Sequence, residues 1–247
     1  MCPRKRDNPF GGFYLAAESV GYIMIKAKLL KRLNRFTALV ELNGEAVKAH
    51  VANSGRLTEL FQPGCEVYLV KQDGKNRVTG YDLSLVKYAG ILVSVDARLP
   101  NDVVAGAIDR GELSEFAGYT VKKREVKFGQ SRLDMVLEDQ RQHRLYVEVK
   151  SVTLVSEGLA RFPDAPTERG IRHLGELAAA VVEGNRAAAV FLIQREDAKA
   201  FSPNDTTDPL FGRVLRQVTA AGVEAYAYIC KISADEIKIS GSVPVVL

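Results

Sequence analysis

No stretch of the chain approaches the ~20 uninterrupted apolar residues that a membrane-spanning helix needs, so a membrane partner is not expected. Cysteine is scarce. Cys2, Cys65 and Cys230 are an odd number, far apart, with no CxxC or Cys/His spacing. That excludes a disulfide framework and a zinc site, and three reduced thiols fit a cytoplasmic protein. His173 has no second His or Cys nearby and makes a poor zinc ligand. Gly74-Lys75 lacks the rest of a phosphate-binding loop and reads as a turn. There is no helix-turn-helix signature, no internal repeat and no low-complexity tract. Met1 to Asp7 are basic, but Pro9, Gly11, Gly12 and Glu18 break up any apolar region of an export signal, and export is not expected.

What is present is an ordinary globular composition, 47% apolar and 26% charged over 247 residues, enough to bury a sizeable core. The net charge of +4 is unevenly spread. Residues 1–98 hold 15 Lys or Arg against 9 Asp or Glu, and residues 99–247 hold 19 against 21. A basic front half beside a slightly acidic back half suits one part gripping a polyanion and another carrying carboxylates for chemistry, although many solvated surfaces look similar.

Residues 1–23 read as an appendage, and Met24, directly before a regular pattern, is an expected biological start. From 24 to 98 the text predicts a small β-barrel. Phe36–Leu42 and Glu45–Ala52 flank Asn43-Gly44, the dipeptide best suited to a tight hairpin. Cys65–Lys71, Arg77–Lys87 and Ile91–Val95 follow, separated by turn-rich segments. Five short strands fit a barrel of the OB type. Phe36, Tyr68, Tyr81 and Tyr88 can offer stacking faces, and Lys26, Lys28, Lys31, Arg32 and Arg35 phosphate contacts. The same aromatics equally suit a barrel core.

From 99 to 247 the period changes. Val103–Phe116 reads as a helix, and Thr120–Lys127, Arg132–Glu138 and Leu145–Val152 as strands. A helix runs from about Pro166 to Glu183, with Asp164 expected as its N-cap. Ala187–Gln194 reads as a buried strand, Asp208–Ala221 as a helix stopped by Gly222, and Val223–Cys230 as a strand. Paired strands followed by strands alternating with helices predict an α/β domain with a mixed sheet.

The strongest chemical signal is Arg132-Leu-Asp134-Met followed by Tyr146-Val-Glu148-Val-Lys150. In a hairpin that sets Leu133 against Val149, Met135 against Val147 and Leu137 against Leu145, one face is wholly apolar, and a one-residue slip destroys it. On the other face Asp134 lies opposite Glu148, with Cβ atoms about 4.5–5.5 Å apart. Lys150 points to the same side, about 6.8 Å further along. Two carboxylates so close repel unless one is protonated or a cation sits between them. Mg²⁺, or Mn²⁺ in its place, is the natural partner, and the ammonium can stabilise charge growing on a phosphate. The bland alternative is a polar face on which Arg132 and Lys150 neutralise the two acids.

A second dense segment spans Phe162 to Leu174. On a helical wheel Arg169, His173 and Glu176 share one side, away from Ile171, Leu174 and Ala178. Arg169 and His173 can meet a phosphate, or the side is a solvated face with an Arg–Glu pair.

The chain resembles the sugar fermentation stimulation protein family, SfsA, over about residues 24–247. The matching text is Arg132-Leu-Asp134, Val147-Glu-Val-Lys-Ser-Val-Thr-Leu154, Phe162-Pro-Asp-Ala165 and Thr167-Glu-Arg-Gly170 through His173-Leu174. Weaker matches are Arg35-Phe36, Ala52-Asn-Ser-Gly-Arg56 and Glu125-Val-Lys-Phe-Gly129. The resemblance implies an OB-like N-terminal domain and a C-terminal, restriction-endonuclease-like domain of the PD-(D/E)xK nuclease type, here with Leu133 in place of the motif's Pro. It implies DNA as partner and a link to regulation of sugar use, maltose in particular. It also brings forward Glu115, in Leu113-Ser-Glu-Phe, as a third acid like the helix-borne glutamate of that nuclease class, in competition with Glu112 and Glu125. Arg56 and Arg132, inside matched segments, complete the candidate DNA contacts. No small-molecule cofactor is implied, and a homo-oligomer is left open.

Overall fold

A computed structural model describes residues 24–73 and 77–247, so the predicted appendage at 1–23 and the predicted turn at Gly74-Lys75 lie outside the described residues. The first half is built from β1 (Met24–Asn34), β2 (Thr37–Leu42), β3 (Glu45–His50), β4 (Glu66–Lys71), β5 (Tyr81–Tyr88) and β6 (Ile91–Ser94). The sheet runs β3-β2-β1-β4-β5-β6, and a parallel bridge from His50 to Asp82 joins β3 to β5. Five strands thereby close into an OB-type barrel around Leu29, Val40, Val51, Val67, Leu69 and Leu83. Asn43 and Gly44 both have positive φ, 53° and 83°, as the hairpin dipeptide requires.

Where the sequence predicts five strands, the structure has six, because β1 is a full strand. Register shifts between Leu29 and Lys31 and between Arg32 and Asn34 disturb its alternation of apolar and basic residues, and hide it from a period-2 reading.

The second half opens with α1 (Pro100–Asp109), shorter than predicted because the chain breaks at Gly111 before a single 3-10 turn at Ser114–Phe116. The strands β7 (Thr120–Phe128), β8 (Ser131–Glu138) and β9 (Arg144–Val152) form a meander. Beyond it come the short strands β10 (Val155–Ser156) and β11 (Leu159–Phe162), α2 (Glu168–Val182), β12 (Arg186–Ile193), β13 (Ala200–Pro203), α3 (Pro209–Ala220), β14 (Glu224–Ile232) and β15 (Ile237–Val243). The main sheet has the order β15-β14-β12-β9-β8-β7, with β12 parallel to both β9 and β14 and the remaining pairs antiparallel. It is a mixed sheet covered by α1 on one face and by α2 and α3 on the other, each face with its own apolar cluster. No described helix is long and apolar enough to cross a membrane.

Asp164 is not the cap of α2. Thr167 is, its hydroxyl accepting the Gly170 N–H at 3.0 Å, because Thr167 directly precedes the first helical residue. Asp164 instead accepts the Leu57 N–H at 3.3 Å and so ties the barrel to the sheet domain. Gly55 leaves the room this needs, since a Cβ there would run into the Asp164 carboxylate.

Candidate metal and nucleic-acid site

The β8–β9 ladder keeps the predicted register from Glu138↔Arg144 through Met135↔Val147, and then stops. Asp134 ends it. Its carboxylate, instead of lying beside a regular rung, accepts the Val149 N–H at 2.8 Å, while its own N–H points to Glu148 Oε2 at 3.3 Å. The two acids are brought together by side chain crossing to backbone, which corrects the expectation of a plain ladder pair. A second correction concerns Leu133. Glu125, in the left-handed region at φ 53°, lies across from Asp134 on β7, and the alternation of faces breaks there. Met135 packs in the cluster under α1, whereas Leu133 and Val126 join the cluster under α2. The apolar face is therefore not continuous, and the break frees Asp134 from the pleat.

Glu148 is 3% exposed and Lys150 is buried beside it, with the ammonium 2.6 Å from Glu148 Oε1. The same oxygen meets Nδ1 of His173, which α2 buries over the strand. Arg169 Nε donates to His173 Nε2 at 3.3 Å. A guanidinium can only donate, so Nε2 accepts and the proton of a neutral imidazole sits on Nδ1, aimed at Glu148. Both readings of His173, a phosphate contact and part of a solvated face, are thus corrected: the ring is buried and committed to Glu148. Glu176, on the same side of the helix, accepts the Gln130 N–H at 3.0 Å.

Asp134 is half-buried and has one neutral side-chain donor among the described residues, Asn101 of α1, whose Nδ2 lies 2.8 Å from Oδ1. Burial, then the neighbouring Glu148 charge, push the Asp134 carboxyl up to about 6, against the opposing pull of the Val149 N–H, Lys150 and Asn101. Burial also acts to raise Glu148, but the His173 hydrogen bond and Lys150 outweigh it and hold Glu148 below the ordinary carboxylate range. The pair is asymmetric: one acid is compensated, and the other is short of positive charge.

No cluster of three or more His, Cys, Asp or Glu side chains able to hold a metal exists among the described residues. Two hard carboxylate donors with water completing the shell is nonetheless the donor set Mg²⁺ accepts, and a divalent ion offsets both the burial and the Glu148 repulsion that raise Asp134. The residues fit the ion.

Glu115 is placed elsewhere. It sits on the 3-10 turn beside Tyr228 and the edge strand β15, in a cleft of about 260 Å³, and its backbone carbonyl accepts from Arg186. The Gly111 break ends the helix that was expected to carry it toward Asp134.

Among the predicted contacts, Lys28, Arg35, Arg56, Arg132 and Arg169 are exposed. Arg132 stands opposite Lys127, forms no ion pair among the described residues and does not neutralise the acids. Arg32 is different. All five of its N–H groups donate to backbone carbonyls, those of Asn34, Arg35, Asn53, Gly55 and Arg56, at 2.5–3.2 Å, and its guanidinium lies 5.2 Å from the centroid of the Phe61 ring. It is a clamp between two loops with no donor left for a phosphate. Asn101 was missed by the sequence reading, and no periodicity or spacing signal points to a lone helix-start Asn.

A family model described as the sugar fermentation stimulation protein RE domain matches residues 98–236, and one described as the SfsA N-terminal OB domain matches residues 30–95. The chain is 50% identical over 225 residues to a sugar fermentation stimulation protein homolog of Moorella thermoacetica, covering 91% of this chain and 96% of that one. A homolog of the same name from Desulforamulus reducens is 47% identical over 224 residues, covering 91% and 93%. Among solved structures, SfsA of Pyrococcus furiosus, in complex with Ca²⁺, superposes with a TM-score of 0.85 at 31% identity, covering 94% of this chain and all of that one.

Proposed function

The chain belongs to the sugar fermentation stimulation protein family, and for it we propose a DNA-binding, Mg²⁺-dependent phosphodiesterase centred on Asp134, Glu148 and Lys150, with Mn²⁺ as a substitute ion. The observation that carries this reading is the asymmetric acid pair. Asp134 is pushed up to about 6 beside a charge-compensated Glu148, with the Lys150 ammonium 2.6 Å from Glu148. A structural relative in complex with Ca²⁺ supports a hard divalent ion as the missing charge.

Asp134 and Glu148 would hold the ion, which when bound supplies a Lewis acid and a water of lowered pKa. The Val149 N–H and Asn101 fix the Asp134 carboxylate, and His173 fixes that of Glu148. Lys150 places a buried positive charge where a scissile phosphate gains negative charge. Arg35, Arg56, Arg132, Arg169 and Lys28 supply exposed cations for the DNA backbone, and a cytoplasmic location follows from such a substrate.

The test is incubation of pure protein with labelled single-stranded, duplex and structured DNA, with Mg²⁺, Mn²⁺ or EDTA. Cleavage is expected with metal only, and Glu148→Ala and Lys150→Ala proteins are expected to lose it. Cleavage at the wild-type rate by either variant, or in EDTA, removes the proposal. A second reading, a regulator of sugar use that binds DNA without cutting it, is favoured by Arg35 and Arg56 lying in a groove of their own. It predicts salt-sensitive binding that is indifferent to metal and to Asp134→Ala.

A further inference from the structure

Four aromatic residues of the barrel are candidates for stacking, and three are spoken for. Tyr68 donates to Glu66 at 2.6 Å, Tyr81 packs on the barrel core, and Tyr88 does so too, with the Arg195 guanidinium 4.9 Å from its ring centroid. Phe36 alone faces solvent, 47% exposed. A single exposed Phe needs no explanation by itself, but this one is held in place. Its N–H donates to Asn34 Oδ1 at 2.9 Å and its carbonyl accepts the Val51 N–H at 2.9 Å. Its ring stacks on His50, with centroids 6.4 Å apart and planes 27° from parallel.

The cations beside it are arranged as well. Arg32 ties the turn that carries Arg35 and Phe36 to the loop that carries Arg56. Arg35 and Arg56 are exposed, form no ion pair among the described residues, and line a groove of about 460 Å³ whose far wall is Ala165 and Pro166, at the start of the segment leading into α2. That helix carries Arg169 and His173 onward to Glu148. An exposed aromatic pair, next in the chain to an arginine that lines a basic groove with Arg56, matches an unpaired nucleotide strand, which offers base faces and phosphates together. A duplex keeps its base faces stacked inside.

We propose that Phe36, stacked on His50, is a platform for an unpaired base, that Arg35 and Arg56 of the groove hold the strand's phosphates, and that the barrel thereby takes single-stranded DNA. The inference rests on the proposed DNA phosphodiesterase for its purpose, but its test does not need cleavage.

Binding of a fluorescent oligo-dT and of a hairpin-capped duplex is measured by anisotropy in EDTA. Phe36→Ala is expected to weaken oligo-dT binding about five- to hundredfold and leave duplex binding within twofold. The chain has no tryptophan, so Phe36→Trp installs a single reporter at the platform. Its affinity for oligo-dT should stay within a few-fold of wild type, and its fluorescence should be quenched by oligo-dT and not by the duplex. Arg35→Ala and Arg56→Ala should each lower the slope of log affinity against log salt by about one. Unchanged oligo-dT binding by Phe36→Ala, or equal quenching by both ligands, overturns the platform while leaving the metal centre standing. Conversely, a wild-type protein that cuts nothing but loses single-strand binding with Phe36→Ala sinks the nuclease and keeps the platform.

Discussion

Two carboxylate pairs, one fully buried and one with a half-buried member, stand apart among the described residues, and they are neutralised in opposite ways. Where the barrel meets the sheet domain, Asp82 and Asp96 are 1% and 2% exposed, and Arg98 lies between them, donating to both. Arg77 also pairs with Asp82. The Arg98 guanidinium is held well above its ordinary value by Asp96, with Asp82 adding to the effect against desolvation. In the sheet domain Asp134 and Glu148 are neighbours too, yet the Lys150 ammonium and the His173 N–H are both spent on one oxygen of Glu148. The first pair is a finished ion network. The second is left short of positive charge, and that shortfall is what the proposed ion would make good.

The contrast breaks most visibly at Arg98. Arg98→Ala should strand two buried acids and destabilise the chain by about 3 kcal/mol, at the low end for such pairs because Arg77 remains on Asp82. The urea midpoint reports it, and added Mg²⁺ should not restore it. A loss under 1 kcal/mol would mean the junction acids were never dependent on Arg98. Next in size, Lys150→Ala should slow metal-dependent cleavage about a hundredfold, equivalent to ~2.7 kcal/mol, with little change in protein yield.

The third prediction concerns pH. The folded-state pKa of Asp134 is raised to about 6, above its ordinary 3.8. Folding therefore favours the protonated form, and in metal-free protein a penalty develops as pH rises from about 4 and is complete above about 6. Asp134→Asn lacks this group, so wild type should lose up to about 3 kcal/mol relative to it across that window. Mg²⁺ at pH 8 should then raise the wild-type melting temperature and leave Asp134→Asn unmoved. A gap that is constant with pH contradicts the assignment of the missing charge to Asp134. The smallest effect is expected at Asn101, the only neutral side chain bonded to Asp134 among the described residues. Asn101→Ala should cost about 1 kcal/mol in stability and lower apparent metal affinity severalfold.

Much of the fold was readable in the chain. The Asn43-Gly44 hairpin, the buried β12 and the register of β8 against β9 all follow from local rules, because period-2 apolar pairing punishes a slip. What escaped were departures from regularity. The register shifts in β1 blurred its alternation, and the face change at Asp134 and Glu125 moved Leu133 into another cluster. Arg32 looked like any surface arginine because most of its backbone partners lie 21–24 residues away. A helical wheel tells which side of α2 carries His173 but not what stands opposite.

The sequence by itself determined the two-part architecture, the pairing of the central hairpin and the grouping of Asp134, Glu148 and Lys150 on it, since these depend on neighbours along a strand or across one turn. Only the tertiary structure decided which charges are satisfied. Whether Asp134 keeps its shortfall, Arg32 its donors or Glu115 its distance depends on groups that meet solely through packing, and electrostatic energy depends on that separation and on burial rather than on order along the chain.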